Sequence, residues 1–231
     1  MSEVVGQGLD RVDARLKVTG AATYAAEVPV ANVVHAVMVE STVAKGQLAS
    51  IDARAAEQVP GVLAVLTHVN APRLPAATKK AGPVDRVLQL LQDPRVLYSG
   101  QPVALVVADS LEAAQHAGSL VAVRYDAASP SVVMEASLGS AYKPASAGPS
   151  GETDTTRGDV AAGLAIAHAT IDAVYTTPVE NHNPMEPHAT IAVWQGDDHL
   201  TLYDATQGIF GVRKKVATVF GLPPENVRVI S

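Results

Sequence analysis

The chain of 231 residues contains no cysteine. That absence excludes disulfides, thiolate metal sites, cysteine nucleophiles and iron–sulfur ligation by this chain. It has no basic excess either: the formal net charge is −6 at pH 7, the opposite of what a general nucleic-acid-binding face requires. No apolar run reaches the ~18 residues of a membrane span. The opening "MSEVVGQGLDRVDARLK" carries acidic residues and no apolar core, so it does not read as a secretory signal. Gly6-x-Gly8 has no strand before it and no third glycine, and so fails the dinucleotide fingerprint. A phosphate loop and a G-x-S-x-G nucleophile elbow are missing as well. What is present is 48% apolar and 17% charged, enough to bury a core in one large domain or two modest ones.

The pattern predicts a strand in "NVVHAVMVE" (32–40), then a short helix in "LASIDARAAEQVPG" capped by Ser50 or Asp52 and stopped at Pro60-Gly61. "VLAVLTHV" (62–69) reads as the next strand. Residues 70–95 read as a long loop carrying the apolar knot Val87, Leu88, Leu90 and Leu91. "PVALVVA" reads as a buried strand. Asp109 and Glu112 start a helix in which Leu111, Ala114, Ala117, Leu120 and Val121 recur at helical spacing, and "VAVRYD" follows as a strand. Strand, helix, strand suggests a βαβ-type crossover. Residues 136–158 are small, polar and rich in Gly, Ser, Thr and Pro, which is linker composition.

Beyond Asp159, a turn of helix at "DVAAGLA" leads into an expected strand, "AIAHATIDAVYTT". "ATIAVWQGDDHLTLYDA" reads as a hairpin turning at Gly196-Asp197-Asp198. "TQGIFGVRKKVATVFG" reads as a helix with Ile209, Val212, Val216, Val219 and Phe220 on one face, a solvated Arg213-Lys214-Lys215, and a stop at Gly221. "NVRVIS" opens a last strand. With one helix in residues 159–231, this half reads as a domain completed by another chain or by further residues.

Two places attract chemistry. "ENHNPMEPHATIAVW" (180–194) crowds His182, Glu186 and His188 together. A helical zinc pair needs histidines at i and i+4, whereas these stand as H-x-x-x-E-x-H with Pro184 and Pro187 interposed, and proline breaks a helix. The residues therefore do not read as direct metal ligands. They read as a polar loop bonding to backbone, or as the wall of a pocket shared with another domain. Gln207 lies where "LTLYD" turns into the helix, a junction that aims side chains and helix N–H groups at ligands. Its amide can donate and accept; the plainer reading is a solvated helix start.

Four ordered stretches, "VTGAATYAAEV", "VLYSGQPVALVVADSLEAAQHAGSLVAVRYD", "ENHNPMEPHATIAVW" and "LTLYDATQGIFGVRKKVATVFGLPPENVRVIS", resemble the N-terminal part of the molybdenum-cofactor-binding subunit of the xanthine dehydrogenase / aldehyde oxidase family. The likeness is to its bacterial aldehyde oxidoreductase branch. It implies an α+β chain: an N-terminal extension (1–16), an α/β-hammerhead domain (17–135), a linker (136–158) and the incomplete first part of a molybdopterin-binding domain (159–231). It implies a molybdenum hydroxylase that oxidises aldehydes or N-heterocycles with water as the oxygen source. The implied cofactor is molybdenum–molybdopterin, in its cytosine dinucleotide form, shared with residues outside the chain; no iron–sulfur cluster or FAD is expected on this chain. The implied partners are the remainder of the molybdenum-binding subunit, an iron–sulfur subunit and an FAD subunit. Gln207 matches the glutamine that hydrogen-bonds a molybdenum oxygen ligand. Leu88, Leu90, Leu91, Glu186 and His188 fall at the substrate channel; no residue here is expected to be catalytic or to ligate metal directly. The expected compartment is the cytoplasm, or the periplasm by export with a signal-bearing partner. The family's glycine-rich loop and glutamate base have no counterpart in these residues, so the chain alone is expected to be inactive. The rival expectation is a non-catalytic assembly module retaining the hammerhead fold.

Overall fold

The computed structural model describes residues 5–75, 90–144 and 153–231. Leu88 and Val87 of the apolar knot lie outside them. The described residues gather into two units, one of residues 34–73, 90–144 and 153–183, the other of residues 5–33, 74–75 and 184–231.

The first unit is built on two three-stranded sheets. β1 (His35–Glu40), β3 (Val62–Thr67) and β5 (Pro102–Ala108) form one, with β5 central and antiparallel to both neighbours. β2 (Gly46–Asp52), β4 (Arg95–Val96) and β6 (Ala122–Ala127) form the other, with β2 central. "PVALVVA" occupies the centre because it is apolar on both faces: Val103, Ala104, Val106 and Ala108 are all buried. A strand walled on both sides has no use for polar alternation. Between β5 and β6 runs α3 (Leu111–Leu120), with Ala114 and Ala117 buried. Earlier in the chain α2 (Arg54–Glu57) contributes Ala56, also fully buried. Ala56, Val65, Ala104, Val106, Ala117 and Val121 make one apolar cluster. Half of it is alanine, small enough for helix and sheet backbones to approach closely there. We therefore expect Ala117→Leu to overpack the cluster and destabilise the protein by about 1–3 kcal/mol, read as a lowered urea midpoint with unchanged slope.

Three local expectations are corrected. The short helix expected in "LASIDARAAEQVPG" forms as α2, but its opening "LASID" belongs to strand β2, and the N-cap of α2 is Ala53, with no side-chain cap, and not Ser50 or Asp52. The pairing of β2 with β6 and β4 on both sides outweighs the capping signal of Ser50 and Asp52. Asp52 instead bonds Arg54, whose backbone N–H and guanidinium both donate to it. The cap of α3 is Ser110, whose Oγ accepts the Ala113 N–H at 3.3 Å, and not Asp109. The predicted crossover is not one: β5 and β6 belong to different sheets.

Two short helices, α1 (Ala14–Val18) and α4 (Met134–Ser137), bury no residue. α5 (Val160–Ala165) starts at Asp159, whose Oδ1 accepts the Ala162 N–H at 3.0 Å. The expected strand after it does not form among the described residues. Residues 169–183 pair with no strand, and Ile171, Val174 and Tyr175 are 88%, 90% and 87% exposed. The alternating pattern is there, but among the described residues no strand pairs with it.

The second unit carries the sheet that positions the site. β7 (Thr190–Gln195) and β8 (His199–Asp204) form the predicted hairpin, from Thr190 opposite Asp204 to Gln195 opposite His199. Gly196 takes the turn at φ 66°, left-handed backbone that glycine adopts without penalty. α6 (Ile209–Phe220) then crosses to β9 (Val227–Ile230), which runs parallel to β8. The parallel crossover unit is thus β8–α6–β9. Ala217 is the buried centre of the α6 face, Val212, Val216 and Val219 are half-buried, and Phe220 meets Trp194 edge to face with ring centroids 5.9 Å apart. Gly221 ends α6 at φ 70°, its N–H and that of Leu222 returning to the Ala217 carbonyl. Of the three basic residues on α6, Arg213 is not simply solvated: its Nε donates to the Pro224 carbonyl at 2.6 Å and ties the helix to the turn before β9.

Candidate functional site

The register of the second sheet decides what its ends display. Thr190 pairs with Asp204, and Tyr203 with Ile230. His188, two residues before Thr190, Gln207, three after Asp204, and Ser231, one after Ile230, therefore leave the sheet at the same end. It is the carboxyl end of the parallel pair β8 and β9, where open α/β sheets bind their ligands.

Gln207 stands in the four-residue link Ala205–Gly208 between β8 and α6 and is exposed. Among the described residues no hydrogen bond engages its amide. The backbone around it is held tightly. Thr206 Oγ1 accepts the Gly208 N–H at 3.1 Å, spanning Gln207. The Thr206 N–H donates to Ser231 Oγ at 3.3 Å, and Ser231 Oγ donates to the Thr206 carbonyl at 3.1 Å. The N-cap of α6 is Gly208, with no side-chain cap, and the first turn holds no acidic residue. Its leading N–H groups are accordingly uncapped by side chains. Asp204, the nearest carboxylate along the chain, accepts the Thr190 hydroxyl. Among the described residues, this end of the sheet presents neutral donors and no anionic ligand set. Such a donor set fits a cofactor that brings its own metal ligands and presents oxygen acceptors.

The "ENHNPMEPH" loop shows a structural role for one of its candidates. Glu186 Oε1 accepts the Ala25 N–H at 3.0 Å, while Glu27 Oε2 accepts the Tyr24 N–H at 2.6 Å. The two carboxylates satisfy the start of the 3-10 turn Ala25–Glu27, which packs against β7 and β8. His182 and His188 are exposed. Among the described residues no three His, Asp or Glu side chains cluster as a metal site would require, and no helix is long and apolar enough to cross a membrane.

Of the channel candidates in the first unit, Leu90 is 37% exposed and Leu91 takes a left-handed backbone at φ 55°. The residue that organises this loop base is their neighbour Gln92, which is buried. Its Nε2 donates to the carbonyls of Pro72, Leu90 and Leu91, and its own carbonyl accepts from Arg73 Nη1 at 2.6 Å. Gln101 does the same for the next turn, accepting the Leu97 N–H and donating to the Arg95 carbonyl. Polar residues bracketing a long loop were the available signal for both. For Thr206 and Ser231 the signal was a hydroxyl next to a tight turn.

An open groove of about 580 Å³ in the first unit is lined by Asp52, Arg54, Glu57, Thr67 and Asn70, among others. Several of its polar groups are already engaged. Asn70 accepts the Thr67 N–H and donates to the Val65 carbonyl. Hydrogen bonds from Arg54 hold the Asp52 carboxyl down at about 2. A depressed carboxyl contributes stability above its ordinary range and loses it as pH falls through the folded value. Here that window lies between the ordinary carboxylate range and about 2. A carboxyl-carbon NMR titration is expected to show that midpoint, and Arg54→Ala to raise it toward the ordinary range, the backbone N–H of residue 54 still holding it below. An unchanged midpoint in the variant would assign the shift to something other than Arg54.

Comparison with known proteins agrees with the two-part reading. Residues 19–129 match the family model described as "Aldehyde oxidase and xanthine dehydrogenase, a/b hammerhead domain". Residues 145–231 match "Molybdopterin cofactor-binding domain". The aldehyde oxidoreductase molybdenum-binding subunit PaoC of Escherichia coli (strain K12) is 38% identical over 231 residues, covering 99% of this chain and 30% of that protein. The xanthine dehydrogenase molybdenum-binding subunit of Escherichia coli O157:H7 is 31% identical, covering 95% of this chain and 30% of that protein. The chain therefore spans about a third of the length of these relatives. In fold it matches quinoline 2-oxidoreductase from Pseudomonas putida 86 with a TM-score of 0.75 at 23% identity, covering 97% of this chain and 30% of that one.

Proposed function

The chain belongs to the aldehyde oxidase and xanthine dehydrogenase family, and from that premise we propose that it is the cofactor-facing N-terminal part of a molybdenum hydroxylase that oxidises aldehydes or N-heterocycles with water as the oxygen source. Its fold is a hammerhead domain followed by the start of a molybdopterin-binding domain. The observation that carries the reading is the 38% identity, across 99% of the chain, to a subunit named for aldehyde oxidation. Aldehydes are accordingly the favoured substrates. The proposed domain limits are 1–16, 17–135, 136–158 and 159–231; the hammerhead match, 19–129, falls within the second of these, while the cofactor-domain match begins at 145, inside the proposed linker.

The cofactor of this reading is molybdenum–molybdopterin in its cytosine dinucleotide form, and when bound it supplies the two-electron oxidation. This chain's residues position it. The Gln207 amide donates to an oxygen of the cofactor from a backbone held on both sides, and the uncapped N–H groups of α6 favour negative charge nearby. Glu186 and His188, on the same unit, and Leu88, Leu90 and Leu91 of the long loop are the proposed channel lining. The rest of the molybdenum-binding subunit completes the site, and iron–sulfur and FAD subunits take the electrons. The exposed apolar side chains of residues 166–179 favour assembly with further chain over an isolated existence.

The test is chemical analysis of the complete complex, purified with its co-expressed subunits. Stoichiometric molybdenum, one CMP released by acid hydrolysis per metal, and aldehyde-dependent dye reduction are expected. A stable complex free of molybdenum and silent toward aldehydes would overturn the proposal in favour of an assembly module.

A further inference from the structure

We propose that Ser231 is a positioning residue that holds the Gln207 loop in register with the sheet, through a two-way hydrogen bond to Thr206. The inference rests on the role proposed for Gln207.

The β8–β9 ladder ends at Tyr203 opposite Ile230. One step further the two strands part, because β8 turns at Asp204 toward α6. Ordinary backbone pairing cannot follow that turn. Ser231 Oγ takes over as a side-chain rung: it accepts the Thr206 N–H at 3.3 Å and donates to the Thr206 carbonyl at 3.1 Å. One hydroxyl thus satisfies both backbone groups of the residue directly before Gln207, using the donor and acceptor capacity that serine has and alanine lacks. Thr206 passes the restraint on, since its Oγ1 accepts the N–H of Gly208, directly after Gln207. Both backbone neighbours of Gln207 are consequently fixed to β9, and among the described residues the Gln207 amide is the one polar side-chain group of the link without a hydrogen-bond partner. A side chain with several rotatable bonds places an amide reproducibly only if its backbone is restrained. The link has no apolar anchor of its own: Ala205, Gln207 and Gly208 are all exposed.

The restraint is read in two ways on the complete enzyme. Amide hydrogen exchange reports the latch directly: Ser231→Ala is expected to speed exchange at Thr206 by about tenfold or more, with a smaller rise at Gly208. Steady-state kinetics report its use: kcat is expected to fall about tenfold with KM near its original value. Ser231→Thr, which keeps the hydroxyl, should restore both. If Ser231→Ala does not fold, Ser231→Cys keeps the volume with only a weak donor and should show the same two effects. In a Gln207→Ala background the Ser231 substitution should add less than about twofold, since residues acting as a unit are not additive. Unchanged exchange at Thr206 overturns the latch. A full kcat loss that persists without Gln207 overturns the claim that Ser231 acts through it. Faster exchange with kcat unchanged in both Ser231→Ala and Gln207→Ala leaves the latch standing and refutes instead the role of Gln207.

Discussion

Gln207→Ala in the complete enzyme should lower kcat by about 10- to 100-fold, the usual cost of removing a hydrogen bond that orients a metal-bound group. The fold should hardly notice. The side chain is exposed and its amide bonds to nothing among the described residues, and surface substitutions of that kind stay within about 0.5 kcal/mol. An activity loss with an unchanged melting temperature is therefore the signature expected. Two further variants separate donor from mere bulk. Gln207→Glu keeps the shape but replaces a donor by an acceptor-only carboxylate, and should be at least as damaging as alanine. Gln207→Asn keeps the donor on a shorter arm and should retain part of the rate. Wild-type turnover in both Gln207→Ala and Gln207→Glu would remove this residue from the site.

The largest stability effect is expected elsewhere, at Gly46. This residue sits at φ 151°, a conformation essentially restricted to glycine. It is paired on both sides, with Val96 and with Ala127. An added Cβ would lie 2.4 Å from the Asp126 carbonyl oxygen and 3.0 Å from the Ala127 Cα. Both obstacles are backbone of the paired strand and cannot rotate away. Gly46→Ala should cost about 3 kcal/mol or more, a large share of a total stability of about 5–15 kcal/mol. Gly61 provides the control. Its φ of 88° is also left-handed, but the atoms met there belong to the Asp109 side chain, which can turn aside. Gly61→Ala should therefore cost less, about 1–3 kcal/mol. Urea unfolding of the two variants ranks them, and an equal loss would mean that backbone strain rather than the clash sets the cost.

Much of the fold was legible because its signals were local. "PVALVVA" reads as a strand buried on both faces whatever surrounds it. Gly196 at the hairpin and Gly221 after α6 mark positions where φ turns positive, and no other residue type satisfies them as cheaply. The two strand-level failures turn on pairing, which local sequence does not report. "LASID" carries the capping candidates Ser50 and Asp52 yet belongs to β2, since β4 and β6, remote in sequence, supply its ladders. "AIAHATIDAVYTT" carries a strand pattern yet pairs with nothing among the described residues. In both cases propensity was overruled by the presence or absence of a neighbour.

The candidate site divides along the same line. Residue type and order alone marked Gln207 as an amide at a strand-to-helix junction, and the spacing of His182 and His188 around two prolines already argued against a helical zinc pair. Family membership too was written in four ordered stretches of sequence. Only the tertiary structure showed that Glu186 satisfies the Ala25 N–H, that Asp204 is occupied by Thr190, and that Ser231 reaches Thr206 across 25 residues of chain. Hydrogen bonds are directional and short-ranged, so they exist only once the sheet has set its register. Composition and periodicity marked most of the elements, though not the strand at "LASID" or the unpaired run after α5. The pairing of β8 with β7 and β9 decides which side chains meet at their ends.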